Sequence, residues 1–428
     1  MHAADIRPVT PEEQTQSSFD LFLIYVGANI VATTFQVGAS LAESFSIAVS
    51  LALVGAGSIA GAALVAALAP IGPRLRAPSM IVSRAALGVR GAALVATVLY
   101  VSNFAWIAIN NVIAASALSH VWGGPSTQTA WAFALGLLAT YCVARGPRAV
   151  ALADRVAVPL LLAVAVVFTI ACLNASSAAP SQPAGQLTWL RGLDVVIAYQ
   201  VSWILMFADY SRYTKSVRGS VAAVFAGLAL TSLWMMPLGV LAARAAGSSD
   251  PGTMVDAVGL GALGALLLAL ATLTTNFVNI YTSGLAWKSL LPGKSDRAVV
   301  WSIGIIGTAL GAVPGVWLEQ YMGFMVILGT LLVPVGGVLI AHFYMQRFAP
   351  LNIDSTLADL YNTSGRLAGF AVPGCIAWAA GAIVYFMASS SGGTLPSLIV
   401  SMTVYVLLRR SFMRRRKTRP KSVSPQRS

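Results

Sequence analysis

The chain has 428 residues, of which 57% are hydrophobic and 10% charged, with a mean hydropathy of +0.78. A soluble domain carries about 25% charged residues, so this composition excludes one. The net charge of +13 does not mark a nucleic-acid binder: nine basic residues lie from Arg409 onward, and most others fall in loops where membrane topology requires them.

In chain order, hydropathy predicts twelve transmembrane helices, over residues 20–41, 46–70, 91–119, 129–144, 156–174, 192–209, 219–243, 259–287, 298–316, 320–345, 367–388 and 393–408. Most meet the roughly 20 residues needed to cross a ~30 Å hydrocarbon core, while the fourth and twelfth are short. Basic residues occupy every second gap. These are Arg74, Arg76, Arg84 and Arg90; Arg145, Arg148 and Arg155; Arg212, Lys215 and Arg218; Lys288, Lys294 and Arg297; Arg347 and Arg366; and the tail from Arg409 to Arg427. The intervening gaps hold only Arg191 and Arg244. Short basic loops stay on the cytoplasmic side, so a multi-pass protein of the cell (inner or plasma) membrane with both termini cytoplasmic is predicted. No basic n-region, short apolar core and small-residue cleavage site precede the first span, so no cleaved signal peptide is expected. The run Arg414-Arg415-Arg416-Lys417 is expected to rest on anionic headgroups, worth about 1 kcal/mol per basic residue, and the chain after Pro420 reads as disordered.

Catalytic chemistry is hard to place here. Cys142, Cys172 and Cys375 lie in apolar spans without metal-ligand spacing and read as small buried hydrophobes. His342 is the one histidine inside a span. There is no Ser/His/Asp set, no pair of intramembrane carboxylates and no phosphate-cradling loop, so the chain does not read as an enzyme and no cofactor is expected. Asp20, Asp154, Asp194 and Asp209 fall at helix ends, and none of the acidic residues sits at the bilayer midplane. Proton-driven carriers often place a carboxylate there, where burial shifts its pKa into the working range. Without one, a coupling cation must be held by hydroxyls and by carbonyls freed at an interrupted helix. Sodium suits such ligands, and protons are the alternative.

Polar residues inside hydrocarbon must face a cavity or a partner helix, because an unpaired amide or hydroxyl there costs several kcal/mol. They cluster in four spans. The first has Asn29, Thr33, Thr34 and Gln36, and the third Ser102, Asn103, Trp106, Asn110 and Asn111. The sixth has Tyr199, Gln200, Ser202 and Trp203, and the eighth Thr272, Thr274, Thr275, Asn276, Asn279, Tyr281 and Thr282. Singly, such residues bridge helices for about 0.6 kcal/mol each. Together, the indoles and amides suit a flat heteroaromatic ligand, since Trp stacks while Asn and Gln each offer a donor and an acceptor. Gly57 with Gly61, and Gly307 with Gly311, match the small-xxx-small spacing that lets helix backbones approach.

Several segments resemble the nucleobase–cation symporter-1 family. They are Arg84-Ala-Ala-Leu-Gly-Val-Arg-Gly91, read as a loop before the third span, Asn103-Phe-Ala-Trp-Ile-Ala-Ile-Asn-Asn111 and Ala208-Asp-Tyr-Ser-Arg-Tyr213. Thr274-Thr-Asn-Phe-Val-Asn-Ile-Tyr-Thr-Ser-Gly284 and Val333-Pro-Val-Gly-Gly337 complete the set. Trp106 with Asn110, and Asn279-Ile-Tyr281, resemble cytosine and purine–cytosine permeases most. The resemblance implies an all-α integral membrane fold, a five-plus-five inverted repeat with helices 1 and 6 interrupted and two helices appended. The expected organisation is a cytoplasmic tail (1–19), a ten-helix transport core (20–345), a linker with helices 11 and 12 (346–408) and a basic cytoplasmic tail (409–428). Carried over by position, substrate binding falls on Gln36, Trp106, Asn110, Gln200, Asn276 and Asn279, with Asn103 and Trp203 as further candidates. Cation binding falls on the carbonyls of Ala32 and Phe35 and the hydroxyls of Thr274 and Thr275, a sodium site if sodium is the coupling ion. Pro334, Gly336 and Gly337 loosen the tenth helix where the family places its extracellular gate.

Two positions depart from the family pattern. Gln200 stands where many members have an aromatic ring, and Tyr199 where some have glycine. Either Trp203 partners Trp106 in the stack, or a hydrogen bond replaces one face of it. The function implied is import of a nucleobase, cytosine or a purine, by symport with sodium or protons through alternating access. An allantoin, hydantoin or hydroxymethylpyrimidine carrier on the same scaffold is the alternative. A channel would need a continuous polar pore or a ring of charges and a sensor would need an output domain; the sequence offers neither. The expected partners are the small-molecule substrate and the lipid bilayer, with no nucleic acid and a monomeric chain.

Overall fold

Lipid offers no hydrogen bonds, so backbone crossing a bilayer must satisfy itself, and this chain does so with helices. The computed structural model describes residues 6–175, 187–291, 293, 295–313, 317, 320–346 and 353–418. A helix or helix pair falls on each of the twelve expected stretches. The first is α1 (Ser18–Asn29) with α2 (Ala32–Ala42), and the second α3 (Ile47–Ala66), followed by a short α4 (Ile71–Leu75). Next come α5 (Ser79–Val121), α6 (Gln128–Ala144) and α7 (Pro147–Asn174). The sixth is α8 (Trp189–Val201), continued by a 3₁₀ stretch, Ser202–Met206, and the seventh is α9 (Val217–Ala246). After a connector, α10 (Pro251–Ala257), follow α11 (Gly261–Leu290), α12 (Asp296–Leu310) and α13 (Tyr321–Gln346). A second connector, α14 (Ile353–Tyr361), leads to α15 (Val372–Ala388) and α16 (Thr394–Thr418). Among the described residues, eight helices are long and apolar enough to cross a membrane, or nine with the bent pair α1–α2 as one span. The ninth and eleventh expected spans are shorter apolar helices, and α8 has 13 residues before its 3₁₀ continuation.

The packing repeats itself. Helices α1 and α2 lie on α9 as α8 lies on α3, and α5 lies on α12 as α11 lies on α6. The pairs α3–α9, α5–α11 and α6–α12 also pack together. Exchanging each span for the one five places later maps these contacts onto themselves. Five crossings is an odd number, so the second set enters from the opposite face and the repeat is inverted. Helices α15 and α16 stand outside this pairing, against α13. Asp194 in the second turn of α8 anchors them, accepting from the Thr394 backbone (2.6 Å) and the Tyr385 hydroxyl (3.3 Å) while pairing with Arg191 (3.3 Å).

Both expected interruptions are present. The first span bends by 55° between α1 and α2, where Val31 is extended (φ −135°, ψ 158°). The Thr34 hydroxyl donates to the freed Asn29 carbonyl (2.7 Å), and the Asn29 amide nitrogen sits within 3.2 Å of Leu228 O, Thr231 Oγ1 and Ser232 Oγ on α9. In the sixth span the Ser202 hydroxyl donates back to the Tyr199 carbonyl (2.7 Å) where the α-helix gives way to the 3₁₀ stretch.

Two expected boundaries shift. The Arg84–Gly91 segment is not a loop: α5 starts at Ser79, and only Gly88 (φ 76°, ψ 171°) is non-helical within it. Residues 367–371, expected in the eleventh span, run as a strap along this kink. Val89 donates to Leu367 O (2.7 Å), Arg90 to Gly369 O (3.2 Å) and Ala371 to Leu87 O (2.8 Å). A Cβ on Gly88 would fall 2.2 Å from Gly369 O, so only glycine allows the strap to lie this close. At the other end, residues 6–16 are docked on the face that carries the basic loops. Val9 donates to Arg76 O (2.8 Å), and the Gln14 side chain lies 3.2 Å from each of the Pro73, Arg212 and Thr214 carbonyls. The expected disorder after Pro420 lies outside the described residues. All three cysteines are free thiols.

Glycines set the closest helix approaches. A Cβ on Gly57 would fall 2.6 Å from the Val196 side chain, and one on Gly61 2.5 Å from Gln200, so this pair seats α3 on α8. Gly38 is more constrained, since its Cβ would fall 1.8 Å from the Met236 carbonyl oxygen. Gly38→Ala therefore forces α2 off α9 and is expected to destabilise the protein by about 1–3 kcal/mol or more. Gly55 has no heavy atom within 4 Å of its Cβ position, so Gly55→Ala is expected to be neutral or to stabilise by up to about 1 kcal/mol. Unfolding midpoints of the two variants in detergent, read against the unmodified protein, check both.

Candidate functional site

The two interruptions face each other across α5 and α11, and a cavity lies between them. Its lining includes Val31 and Thr33 at the first break, Asn103, Trp106 and Asn110 on α5, Tyr199 and Trp203 in the sixth span, and Thr275 and Asn279 on α11. Asn103, Trp106 and Asn110 are three and four residues apart, which places them on one face of α5. The free space is about 30 Å³, room for roughly two waters, so side chains must move to admit an aromatic ring. None of the lining residues carries a formal charge, so the cavity suits a neutral ligand.

Aromatic rings make its walls. Trp106 packs edge-on against Tyr199 (centroids 6.2 Å, 84°) and Phe324 (5.1 Å, 79°), and Trp203 packs against Tyr25 (6.3 Å, 62°). Polar atoms are set between the rings. The Asn103 amide nitrogen donates to Thr282 Oγ1 (3.3 Å) and that of Asn110 to the Trp106 carbonyl (2.9 Å). Their amide oxygens, Asn103 Oδ1 and Asn110 Oδ1, are buried and have no protein partner. Asn279 donates to Asn276 Oδ1 (3.4 Å), and Asn276 donates to Asn111 Oδ1 (2.9 Å). Asn276 thus stands behind Asn279, bonded to it rather than lining the cavity.

Two expected substrate residues point elsewhere. Gln200 donates to Ser232 Oγ (2.6 Å) and is buried between α8 and α9, beside the Asn29 bonds. Gln36 donates to the Ser249 carbonyl (3.0 Å) in the connector before α10. Tyr199, the neighbour of Gln200, lines the cavity and packs edge-on against Trp106. Thr34 spends its hydroxyl proton on Asn29 O, so the Tyr199 hydroxyl donates to Thr34 Oγ1 (2.6 Å), with Thr33 Oγ1 at 3.2 Å. Tyr321 adds a bond to the Thr33 carbonyl (3.3 Å). Tyr199 and Phe324 could have been found in the sequence as aromatic residues on the spans facing Trp106.

Of the expected cation ligands, the two threonine hydroxyls sit together on α11. Thr274 donates to the Ala271 carbonyl (3.1 Å) and Thr275 to the same oxygen (2.8 Å), which gathers two hydroxyls and a carbonyl. Helix α2, with Ala32 in its first turn, packs against α11. The Phe35 carbonyl lies against Gly239, whose Cβ would fall 1.9 Å from it. Among the described residues, no group of three or more His, Cys, Asp or Glu could hold a metal ion.

Residues 8–407 match the family model described as permease for cytosine/purines, uracil, thiamine and allantoin. The chain belongs to this permease family. The permease is 25% identical over 390 residues to a cytosine permease of Escherichia coli O157:H7, covering 86% of this chain and 88% of that one. It is 24% identical over 385 residues to a putative purine–cytosine permease of Bacillus subtilis (strain 168), covering 85% and 83%. Its fold matches that of Mhp1, a nucleobase-cation-symport-1 family transporter solved closed with bromovinylhydantoin bound. The TM-score is 0.76 at 18% identity, covering 97% of this chain and 96% of that one. The five-plus-five inverted repeat is thus the fold of this chain, and as a permease it is a transporter and not an enzyme.

The hydroxyl of Tyr199 offers a direct test of the clamp on the broken helix. Tyr199→Phe keeps the ring against Trp106 and leaves Thr34 Oγ1 without its donor. A loss of about 0.5–1.5 kcal/mol in unfolding free energy is expected. Gln200→Leu, by contrast, should disturb the α8–α9 contact without changing the cavity wall. Thermal unfolding of both, with tryptophan fluorescence reporting on Trp106 and Trp203, separates the two roles.

Proposed function

We propose that this permease imports a neutral nucleobase, cytosine or a purine first, by sodium symport through alternating access. The observation that carries the reading is the pair of partnerless amide oxygens, Asn103 Oδ1 and Asn110 Oδ1, flanking Trp106 in an uncharged cavity. An unpaired acceptor buried in low dielectric costs about 1–3 kcal/mol, and a flat ring bearing N–H or amino donors relieves that cost while stacking on the indole. Trp106 and Trp203 would hold the ring, with Tyr199 at its edge, and Asn279 would read the polar edge with Asn276 bracing it. Gln200 and Gln36 act at second hand in this reading, by setting α8 and α2. An allantoin or hydantoin carrier remains the second reading, because the family description includes allantoin and Mhp1 was solved with a hydantoin.

Sodium would bridge the broken first span and α11, using the Ala32 carbonyl with the Thr274 and Thr275 hydroxyls, and the Phe35 carbonyl would join them only by leaving its place against Gly239 on α9. No carboxylate lines the cavity, which favours sodium over protons. A cation that binds one state better shifts the equilibrium by its differential affinity and no more. The basic loops would face the cytoplasm, in the cell membrane, with the chain acting as a monomer. Pro334, Gly336 and Gly337 would serve the outer gate.

A thermal-shift panel of nucleobases and hydantoins, with and without sodium, tests substrate and ion together, because a ligand stabilises by RT ln(1 + [L]/Kd). Shifts confined to hydantoins would overturn the nucleobase assignment. Trp106→Ala is expected to lose about 1–3 kcal/mol of substrate binding, measured by the displaced midpoint of the ligand titration. Asn279→Ala should weaken binding more than Asn276→Ala, and equal, unchanged affinities would remove α11 from the site. Thr275→Val keeps shape and removes the oxygen. It should abolish the sodium dependence of substrate affinity and, by reciprocal linkage, the substrate dependence of sodium affinity, while sodium-free binding stays near the unmodified value. Uptake that follows pH and ignores sodium would instead favour protons.

A further inference from the structure

A second cavity, of about 390 Å³, lies where α5, α14, α15 and α16 meet, far along the chain from the breaks. Its lining divides by chemistry. Asp359, Arg366 and Arg409 supply charge, while Leu360, Phe370 and Phe412 supply apolar surface. Arg366 donates to Asp359 at 2.5 Å, so the lining keeps one net positive charge, at Arg409. Phe370 is 50% exposed and Phe412 47%, so the rim is open to whatever surrounds the protein.

Depth identifies those surroundings. The apolar stretch of α16 runs from Thr394 to Phe412 and is followed by Arg414, Arg415 and Arg416. Arg409 therefore sits where hydrocarbon gives way to headgroups, with Phe412 one turn beyond it. A cationic recess with an aromatic rim at this depth matches an anionic amphiphile. A phosphate pairs with guanidinium through charge-assisted hydrogen bonds, and acyl chains pack on exposed rings.

We propose that this cavity binds an anionic phospholipid, with Arg409 facing the phosphate, Phe370 flanking an acyl chain and Phe412 covering the headgroup side. Such a lipid reaches the transport core. Ala85 brings the foot of α5 into the cavity wall, and the strap that carries Phe370 hydrogen-bonds to α5 on both sides of Gly88. Beyond the kink, the same helix carries Asn103, Trp106 and Asn110. The lipid would clamp α15 and α16 onto this helix.

The test uses the purified full-length protein, delipidated in a zwitterionic detergent. Its unfolding midpoint is titrated separately with phosphatidylglycerol, with phosphatidylcholine of the same chains, and with inorganic phosphate. Phosphatidylglycerol should raise the midpoint saturably, and the other two should not. Arg409→Gln should raise the half-saturating concentration by about tenfold, the loss of one charge-assisted pair, and Phe412→Ala should raise it with the arginine intact. Arg410→Gln, and a variant with Arg414, Arg415 and Arg416 all changed to Gln, should titrate as the unmodified protein does. An equal response to phosphatidylcholine, a response to inorganic phosphate alone, or no saturable response would overturn the proposal. So would a titration unchanged in both Arg409→Gln and Phe412→Ala, or one lost only in the tail variant. The readout needs no transport substrate, so it stands apart from the nucleobase assignment.

Discussion

The structure depends on one constraint: a helix broken inside hydrocarbon must have its freed polar groups satisfied by protein. Here the first span breaks at Ile30 and Val31, and four side chains hold the break open in a defined shape. Thr34 closes the Asn29 carbonyl, Asn29 reaches three acceptors on α9, and the Tyr199 and Tyr321 hydroxyls fasten the start of α2. Without these bonds the two halves would regain an unbroken helix or expose unpaired groups at several kcal/mol each. The cavity exists because the break is held, and Val31 and Thr33 line it directly.

The intramembrane amides fall into two kinds. Asn29, Gln200 and Asn276 bond to neighbouring helices and fix the scaffold, although Asn29 and Gln200 each leave one oxygen unpaired. Asn103, Asn110 and Asn279 line the cavity as well as bonding within the protein. Composition cannot separate these kinds, since both are buried Asn or Gln on polar-rich spans. Direction separates them, through the face of the helix on which each residue falls.

That distinction explains how much was legible beforehand. Hydropathy located most stretches because about twenty apolar residues leave a strong signal, while α12 and α15 are shorter than that. Clustered polar and aromatic residues pointed to spans 1, 3, 6 and 8, and Asn103, Trp106, Asn110, Trp203, Thr275 and Asn279 all line the cavity. The sixth span was harder. Consecutive helical residues differ by about 100° in direction, so moving the aromatic role from Gln200 to Tyr199 exchanges a helix contact for a cavity wall. The Gly88 kink was also hidden, because it is set by a strap about 280 positions later in the sequence, with Gly369 O against it. Likewise the docking of residues 6–16 depends on carbonyls at Pro73, Arg212 and Thr214, which no local pattern announces.

The same bonds set the terms for moving a ligand through. On the basic-loop face, Gln14 joins the N-terminal segment to the connectors after α3 and after the sixth span. Toward the other face, Gln36 ties α2 to Ser249, and Ser116 on α5 donates to Asp250 (3.0 Å) at the cap of α10. Each such bond contributes about 0.5–1.5 kcal/mol net, so either latch opens at a cost of a few kcal/mol. That is the scale on which a bound ion or ring with unequal affinity for two states can decide between them. A cavity of about 30 Å³ cannot accept a heterocycle unless Trp106, Tyr199 or Phe324 rotates. Because the Tyr199 hydroxyl is bonded to Thr34, rotation of that ring would also loosen the clamp on the first span. Of the three rings, the tyrosine is thus the one whose movement joins the cavity wall to the broken helix.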